Sequence, residues 1–95
     1  MNDRKHFVYI LKCKDNTFYT GYTTNVGRRL KMHEQGKGAK YTRGRSPLLL
    51  VHEECFSTKT EALQREHEIK QLSRSEKLVL IKDKKVEKHE HSKKL

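Results

Sequence analysis

The chain is short of everything that would staple it, span a membrane or repeat. Two cysteines, Cys13 and Cys55, leave room for one disulfide at most. The first 25 residues hold no continuous apolar segment of the signal-peptide kind, so a reducing compartment is expected and both thiols read as buried small hydrophobes. His6, His52, His67, His89 and His91 stand at no metal-ligand spacing from either cysteine, which argues against a structural zinc site. No run approaches the ~20 apolar residues of a membrane helix. The expectation is a soluble, cytoplasmic protein. There are no internal repeats. The only proline, Pro47, and three of the five glycines fall within Gly36 to Pro47, which marks that stretch as the main irregular loop.

What is present fits one small domain of 95 residues. Hydrophobic residues are 33% and charged residues 36%, a polar balance. The apolar residues nevertheless cluster at Phe7–Leu11, Leu48–Val51 and Leu78–Ile81, which argues against disorder. The formal net charge is +10, and the excess is local. Val26 to Arg45 carries Arg28, Arg29, Lys31, Lys37, Lys40, Arg43 and Arg45 against Glu34 alone. Such a stripe tracks phosphates, because bound Lys and Arg release condensed counterions from nucleic acid. The plainer alternative is a solvated basic face.

Phe7 to Cys13 and Thr17 to Thr23 read as strands joined by turn chemistry at Lys14-Asp15-Asn16, an antiparallel hairpin. Thr24 or Asn25 caps a helix to about Gln35, ended by Gly36 and Gly38. Leu48 to Phe56 is a third strand. Thr58-x-x-Glu61 and Ser73-x-x-Glu76 are capping boxes, opening helices over Lys59–Leu72 and Arg74–Ile81. The fold class is α+β, a three-stranded antiparallel sheet flanked by three helices in the order β-β-α-β-α-α. Residues 1–81 form the domain, and residues 82–95 read as a basic, disordered tail.

Helical rotation of about 100° per residue sorts the candidates. On the second helix Leu72, Ile69, Ala62 and Leu63 make one apolar arc, and Glu66 falls inside it. Arg65 lies at its edge, free to snorkel outward. A carboxylate on that face does not stay charged cheaply without a partner. It pairs with a cation as a structural residue, or it lines a cleft and holds a cation. On the first helix Val26 and Leu30 define the stripe, with Arg29 and His33 beside it. Arg29 is thus the inward arginine, and pairing with Glu66 is the structural explanation for both.

These residues together resemble the GIY-YIG nuclease superfamily, in its branch of small stand-alone bacterial proteins. Val8-Tyr9-Ile10 stands at the first motif and Tyr19-Thr20-Gly21 at the second. Arg29, His33 and Glu66 match the helix arginine, a histidine of some members and the metal-binding glutamate. Gly38-Ala39-Lys40-Tyr41-Thr42-Arg43-Gly44-x-x-Pro47 looks like a segment of the nucleases that cut branched DNA. The resemblance covers residues 6–81. Val8 replaces the usual glycine, and Ser75 to Ile81 lacks the asparagine found late in many members.

The resemblance implies an endonuclease or nuclease-like protein acting on DNA rather than RNA, and leaves targeting open to a protein partner. It implies one Mg²⁺ or Mn²⁺ held by Glu66. Tyr19 would be general base or water-orienting group, its phenol needing depression by nearby cations. Arg29 would clamp phosphate, Tyr9 would hold Tyr19, and His33 would relay a proton or touch phosphate. Lys37, Lys40, Tyr41, Arg43 and Arg45, with Thr42, would meet nucleic acid. The alternative is a non-catalytic nucleic-acid-binding module on the same fold. Hairpin register separates a shared site from ordinary strand aromatics. A two-residue loop would set Tyr9 and Tyr19 on opposite faces, whereas a three-residue loop or a bulge at Gly21 unites them, and the latter is expected.

Overall fold

The computed structural model describes residues 5–38 and 42–90, with side chains described as far as residue 83. The elements are β1 (His6–Lys12), β2 (Phe18–Thr23), α1 (Val26–Glu34), β3 (Leu49–Phe56), α2 (Lys59–Lys70) and α3 (Arg74–Glu90). The sheet order is β2-β1-β3, antiparallel throughout, so β1 is bonded on both sides.

The β1–β2 connection is a three-residue loop. Cys13 N–H donates to Thr17 O at 2.8 Å, Asn16 N–H donates to Cys13 O at 2.9 Å, and Asn16 takes a φ of 67°. Asparagine tolerates that left-handed position. The loop sets Tyr9 opposite Gly21 and Leu11 opposite Tyr19. Direct cross-strand partners share a face, as do residues two apart, so both tyrosines project to one side. β3 pairs with β1 through a register shift between Ile10 and Leu11 that leaves Val51 as the extra residue.

The pleat divides the core. Val8 and Ile10 pack with Ala62 and Ile69 of α2, flanked by Leu80 and Ile81 of α3. Tyr9, Leu11 and Cys13 pack on the other face with Leu48, Tyr19 and Leu30 of α1.

The helix starts follow local chemistry. Asn25 Oδ1 accepts from Arg28 N–H at 3.0 Å and Thr58 Oγ1 from Glu61 N–H at 3.2 Å. At α3 the box is reciprocal: Ser73 N–H donates to Glu76 Oε1 at 2.8 Å and Glu76 N–H to Ser73 Oγ at 3.2 Å.

Four readings need correction. α3 does not stop at Ile81 but continues to Glu90, because Lys and Glu are good helix formers even without an apolar stripe. Leu63 is 41% exposed, since α2 packs on the Ala62–Ile69 line and Leu63 lies about 100° from Ala62. Cys55 is exposed on the edge strand, while Cys13 is buried, and both thiols are free. Leu49 and Leu50 are exposed at the start of β3, leaving Leu48 as the buried member of that run. No helix among the described residues is long and apolar enough to cross a membrane.

Candidate active site

On the α1 side of the sheet, the Tyr9 and Tyr19 ring centroids lie 6.3 Å apart. His33 is the buried residue of α1, where Val26 and Leu30 are only half-buried. Its ring sits 6.0 Å from Tyr9 and 5.2 Å from Tyr19, edge-on to each. The Tyr9 hydroxyl is 2.9 Å from His33 Nε2, and Thr42 Oγ1 is 2.9 Å from His33 Nδ1. Tyr9, His33 and Thr42 are all buried.

Two glycines create the space. A Cβ at Gly21 would lie 2.5 Å from the Tyr9 hydroxyl and 3.0 Å from the Tyr19 ring, and one at Gly38 would overlap the His33 imidazole. The positive-φ glycines are Gly36 and Gly44, so Gly21 and Gly38 are required for room and not for backbone freedom.

Burial pushes the Tyr9 phenol up to about 12; Tyr19 and Glu66 add to this and the adjacent Arg29 opposes it. Burial, then Arg29, pushes the His33 imidazole down. At neutral pH Tyr9 therefore keeps its proton and His33 is uncharged. Arg29 and Glu66 both act electrostatically on this one phenol, the guanidinium lowering it and the carboxylate raising it. They do not neutralise each other. Glu66 Oε2 lies 3.1 Å from Lys70 Nζ, with the Glu66 side chain 18% exposed. Arg29 Nε is buried without an acceptor among the described residues.

The basic loop divides by role. Lys37 and Arg43 are exposed. Arg45 forms an ion pair with Asp15 at the hairpin tip; Lys14 N–H donates to Arg45 O at 2.8 Å, and Arg45 N–H donates to Thr42 O at 3.1 Å. The Thr17 hydroxyl, and after it Arg45, holds the Asp15 carboxyl below its usual range. Arg45 thus anchors the turn that carries Thr42. Lys40 and Tyr41 lie outside the described residues.

This arrangement of two phenols, a carboxylate and a guanidinium that is not paired with it has a counterpart in sequence. Residues 5–79 match the model of the GIY-YIG catalytic domain. The chain belongs to the GIY-YIG family. A UPF0213 protein of Staphylococcus haemolyticus is 60% identical over 79 residues, 83% of this chain and 96% of that protein. One from the archaeon Natronomonas pharaonis is 62% identical over 78 residues, 82% of this chain and 92% of that one. Among solved structures, the solution NMR structure of a protein from E. faecalis is 41% identical at a TM-score of 0.63, covering 90% of this chain and 91% of that one. The solution NMR structure of a UPF0213 protein from Bacillus halodurans is 56% identical at a TM-score of 0.55, covering 82% of this chain and 83% of that one. The family is thus one of small stand-alone bacterial and archaeal proteins. GIY-YIG membership implies a nuclease-type fold and an interaction with nucleic acid.

Within this GIY-YIG domain, sequence reasoning missed a second polar cluster on the opposite face. Glu54 takes a bidentate pair from Arg65, at 2.8 Å to Nε and 3.1 Å to Nη2, and lies 2.8 Å from His52 Nε2. Arg65 does not snorkel free; it also meets Glu68 at 3.1 Å. Burial raises the Glu54 carboxyl, but His52 and Arg65 outweigh it and bring the group down to about 2. The available signal was the period of two along β3, which turns His52 and Glu54 inward beside Ile10 and Val8. Thr42 had no comparable signal, since its contact with His33 depends on how a glycine-rich loop folds back.

Proposed function

We propose that this protein is an endonuclease hydrolysing phosphodiester bonds in DNA with one divalent cation, Mg²⁺ or Mn²⁺, at Glu66. The observation supporting this most directly is that Arg29 and Glu66 both act on the Tyr9 phenol without pairing with each other. An arginine kept only for structure would close on the nearest carboxylate, because a buried donor without an acceptor costs about 1–3 kcal/mol. A scissile phosphate supplies that acceptor, and the planar guanidinium suits its geometry.

The donor set fits a hard, water-rich cation. Among the described residues no three His, Cys, Asp or Glu side chains gather as a metal cage, and a lone carboxylate completed by waters and substrate oxygens is the Mg²⁺ pattern. Bound at Glu66, Mg²⁺ supplies Lewis-acid stabilisation of charge on the phosphoryl and leaving oxygens.

The remaining work falls to the chain. Tyr19 is half-exposed and so is the phenol that meets the attacking water, as general base or orienting group. Tyr9 keeps its proton and fixes the arrangement from below. His33 is uncharged and has a ring nitrogen able to receive a proton. Lys37 and Arg43, both exposed, meet the approaching phosphate backbone, and Arg45 holds their loop to the hairpin through Asp15; Lys40 and Tyr41, outside the described residues, are proposed as further contacts to nucleic acid. A protein partner supplies targeting, and the setting is cytoplasmic.

The test is the full chain with branched, single-stranded and duplex DNA and with RNA, with and without Mg²⁺. Cleavage that needs Mg²⁺ and is abolished by Glu66→Ala, with binding retained, supports the nuclease. Salt-dependent binding with no cleavage would leave a binding module on a nuclease fold.

A further inference from the structure

The loop that carries the basic residues also reaches the centre of the site through Thr42. Its hydroxyl is buried, 2.9 Å from His33 Nδ1. Its turn is held from outside by the Arg45–Asp15 ion pair and the Lys14 N–H to Arg45 O bond. Gly38, from the same loop, lies against the imidazole where any Cβ would collide. The loop therefore seats His33 on two sides.

An uncharged imidazole has one N–H and one bare nitrogen, and here both nitrogens have hydroxyl partners. The partners decide which is which. Around this ring stand Tyr9 from β1 and Tyr19 from β2, with Arg29 of α1 acting on it; Glu66 of α2 acts on the Tyr9 phenol. The Tyr9 oxygen has the Arg29 guanidinium beside it, a donor that accepts no proton. The phenolic proton of Tyr9 is therefore directed to His33 Nε2. His33 must then carry its own hydrogen on Nδ1 and donate it to Thr42.

We infer that Thr42 is a positioning residue: it accepts from His33 Nδ1–H, fixes that tautomer, and so keeps Nε2 bare for the Tyr9 hydroxyl. This rests on the nuclease reading only for its consequence in catalysis; the tautomer itself is a property of the folded chain. The chain of donors runs from Tyr9 through His33 to Thr42, so the loop facing the nucleic acid is linked to the buried phenol by two hydrogen bonds. Loss of the Thr42 hydroxyl frees the ring to exchange tautomers, and Nε2 then donates to Tyr9 instead of accepting.

The test is long-range ¹H–¹⁵N correlation of the His33 ring in the full chain, wild type, Thr42→Val and Thr42→Ser. The expected result is an Nδ1–H ring in the wild type and in Thr42→Ser. In Thr42→Val, Nδ1 should shift toward its bare position and Nε2 toward its protonated one. An Nε2–H ring in the wild type overturns the inference, even if Thr42→Val fails to fold. So does a folded Thr42→Val that keeps the wild-type tautomer. Because no cleavage is measured, this result stands or falls separately from the nuclease activity. With cleavage as a second readout, Thr42→Ser should retain the wild-type pH profile and Thr42→Val should shift it.

Discussion

The Tyr9 hydroxyl occupies the place where a side chain at position 21 would begin: an added Cβ lies 2.5 Å from the phenolic oxygen. Tyr9 and Gly21 are direct partners across the β1–β2 ladder, so neither can step aside without breaking the strand pairing. Gly21→Ala should therefore displace the Tyr9 ring, cost about 1–3 kcal/mol through overpacking, and abolish cleavage. Gly27→Ala is the control. Its Cβ meets only Asn25 Oδ1, at 3.7 Å, and in the first turn of α1 it should stabilise by about 0.5–1 kcal/mol. Thermal melts of both variants and a cleavage assay check the pair.

Tyrosine titration followed by ultraviolet absorbance should show one phenol ionising near 12, against the ordinary 10.0. That phase should vanish in Tyr9→Phe. Glu66→Gln should move it down and Arg29→Gln should move it up, since the carboxylate raises and the guanidinium lowers this group. The stability consequence follows in sign. Above pH 10 the unfolded chain releases the proton that the folded chain keeps, so stability falls as pH rises from 10 toward 12. Tyr9→Phe should flatten that fall, as measured by urea titrations across the range.

At the acid end the informative group is Glu54. Burial raises its carboxyl, yet His52 and Arg65 together bring it from 4.5 to about 2. The folded value lies below the unfolded one, so the contribution is complete above pH 4.5 and is lost as pH falls toward 2. Its size is on the order of 3 kcal/mol at ~1.4 kcal/mol per unit. Glu54→Gln should lower stability at neutral pH and remove much of the acid dependence. Urea midpoints between pH 6 and pH 2.5 would show whether it does.

Arg29→Lys keeps a charge and loses the planar fork. If Arg29 clamps the phosphate as the transition state forms, turnover should fall by roughly 10²–10³-fold with thermal stability close to wild type. Equal turnover in the two proteins would remove Arg29 from the chemistry. Single-turnover rates in Mg²⁺ are the measurement.

The parts of this molecule set by local chemistry were legible in the sequence. Thr24 or Asn25, Thr58 and Ser73 announced three helix starts, and runs of aromatic and β-branched residues marked the strands. Helical rotation by itself turns Glu66 and Arg29 inward. Contacts between distant segments were less legible. Whether Arg29 and Glu66 pair, or stand apart around Tyr9, depends on how two helices meet the sheet. Arg65 looked like a side chain bound for solvent because its partner, Glu54, lies on a different element. Thr42 looked like part of a surface loop because nothing in its neighbours shows that the loop turns back onto His33. The tyrosine register was decided by one residue of loop length, with Asn16 able to take the left-handed position that a three-residue hairpin needs.

The central place of β1 has a consequence for how the molecule opens. Its amides are bonded on both flanks, and Tyr9 sits in the middle of it. Partial opening of the outer elements leaves such a strand intact, so its amides exchange with solvent only when the whole domain opens. α3, which packs through Leu80 and Ile81, can fray many times for each such event. The phenol at the heart of the site therefore rides on the last segment to let go, and the site stays assembled while the edges of the protein breathe.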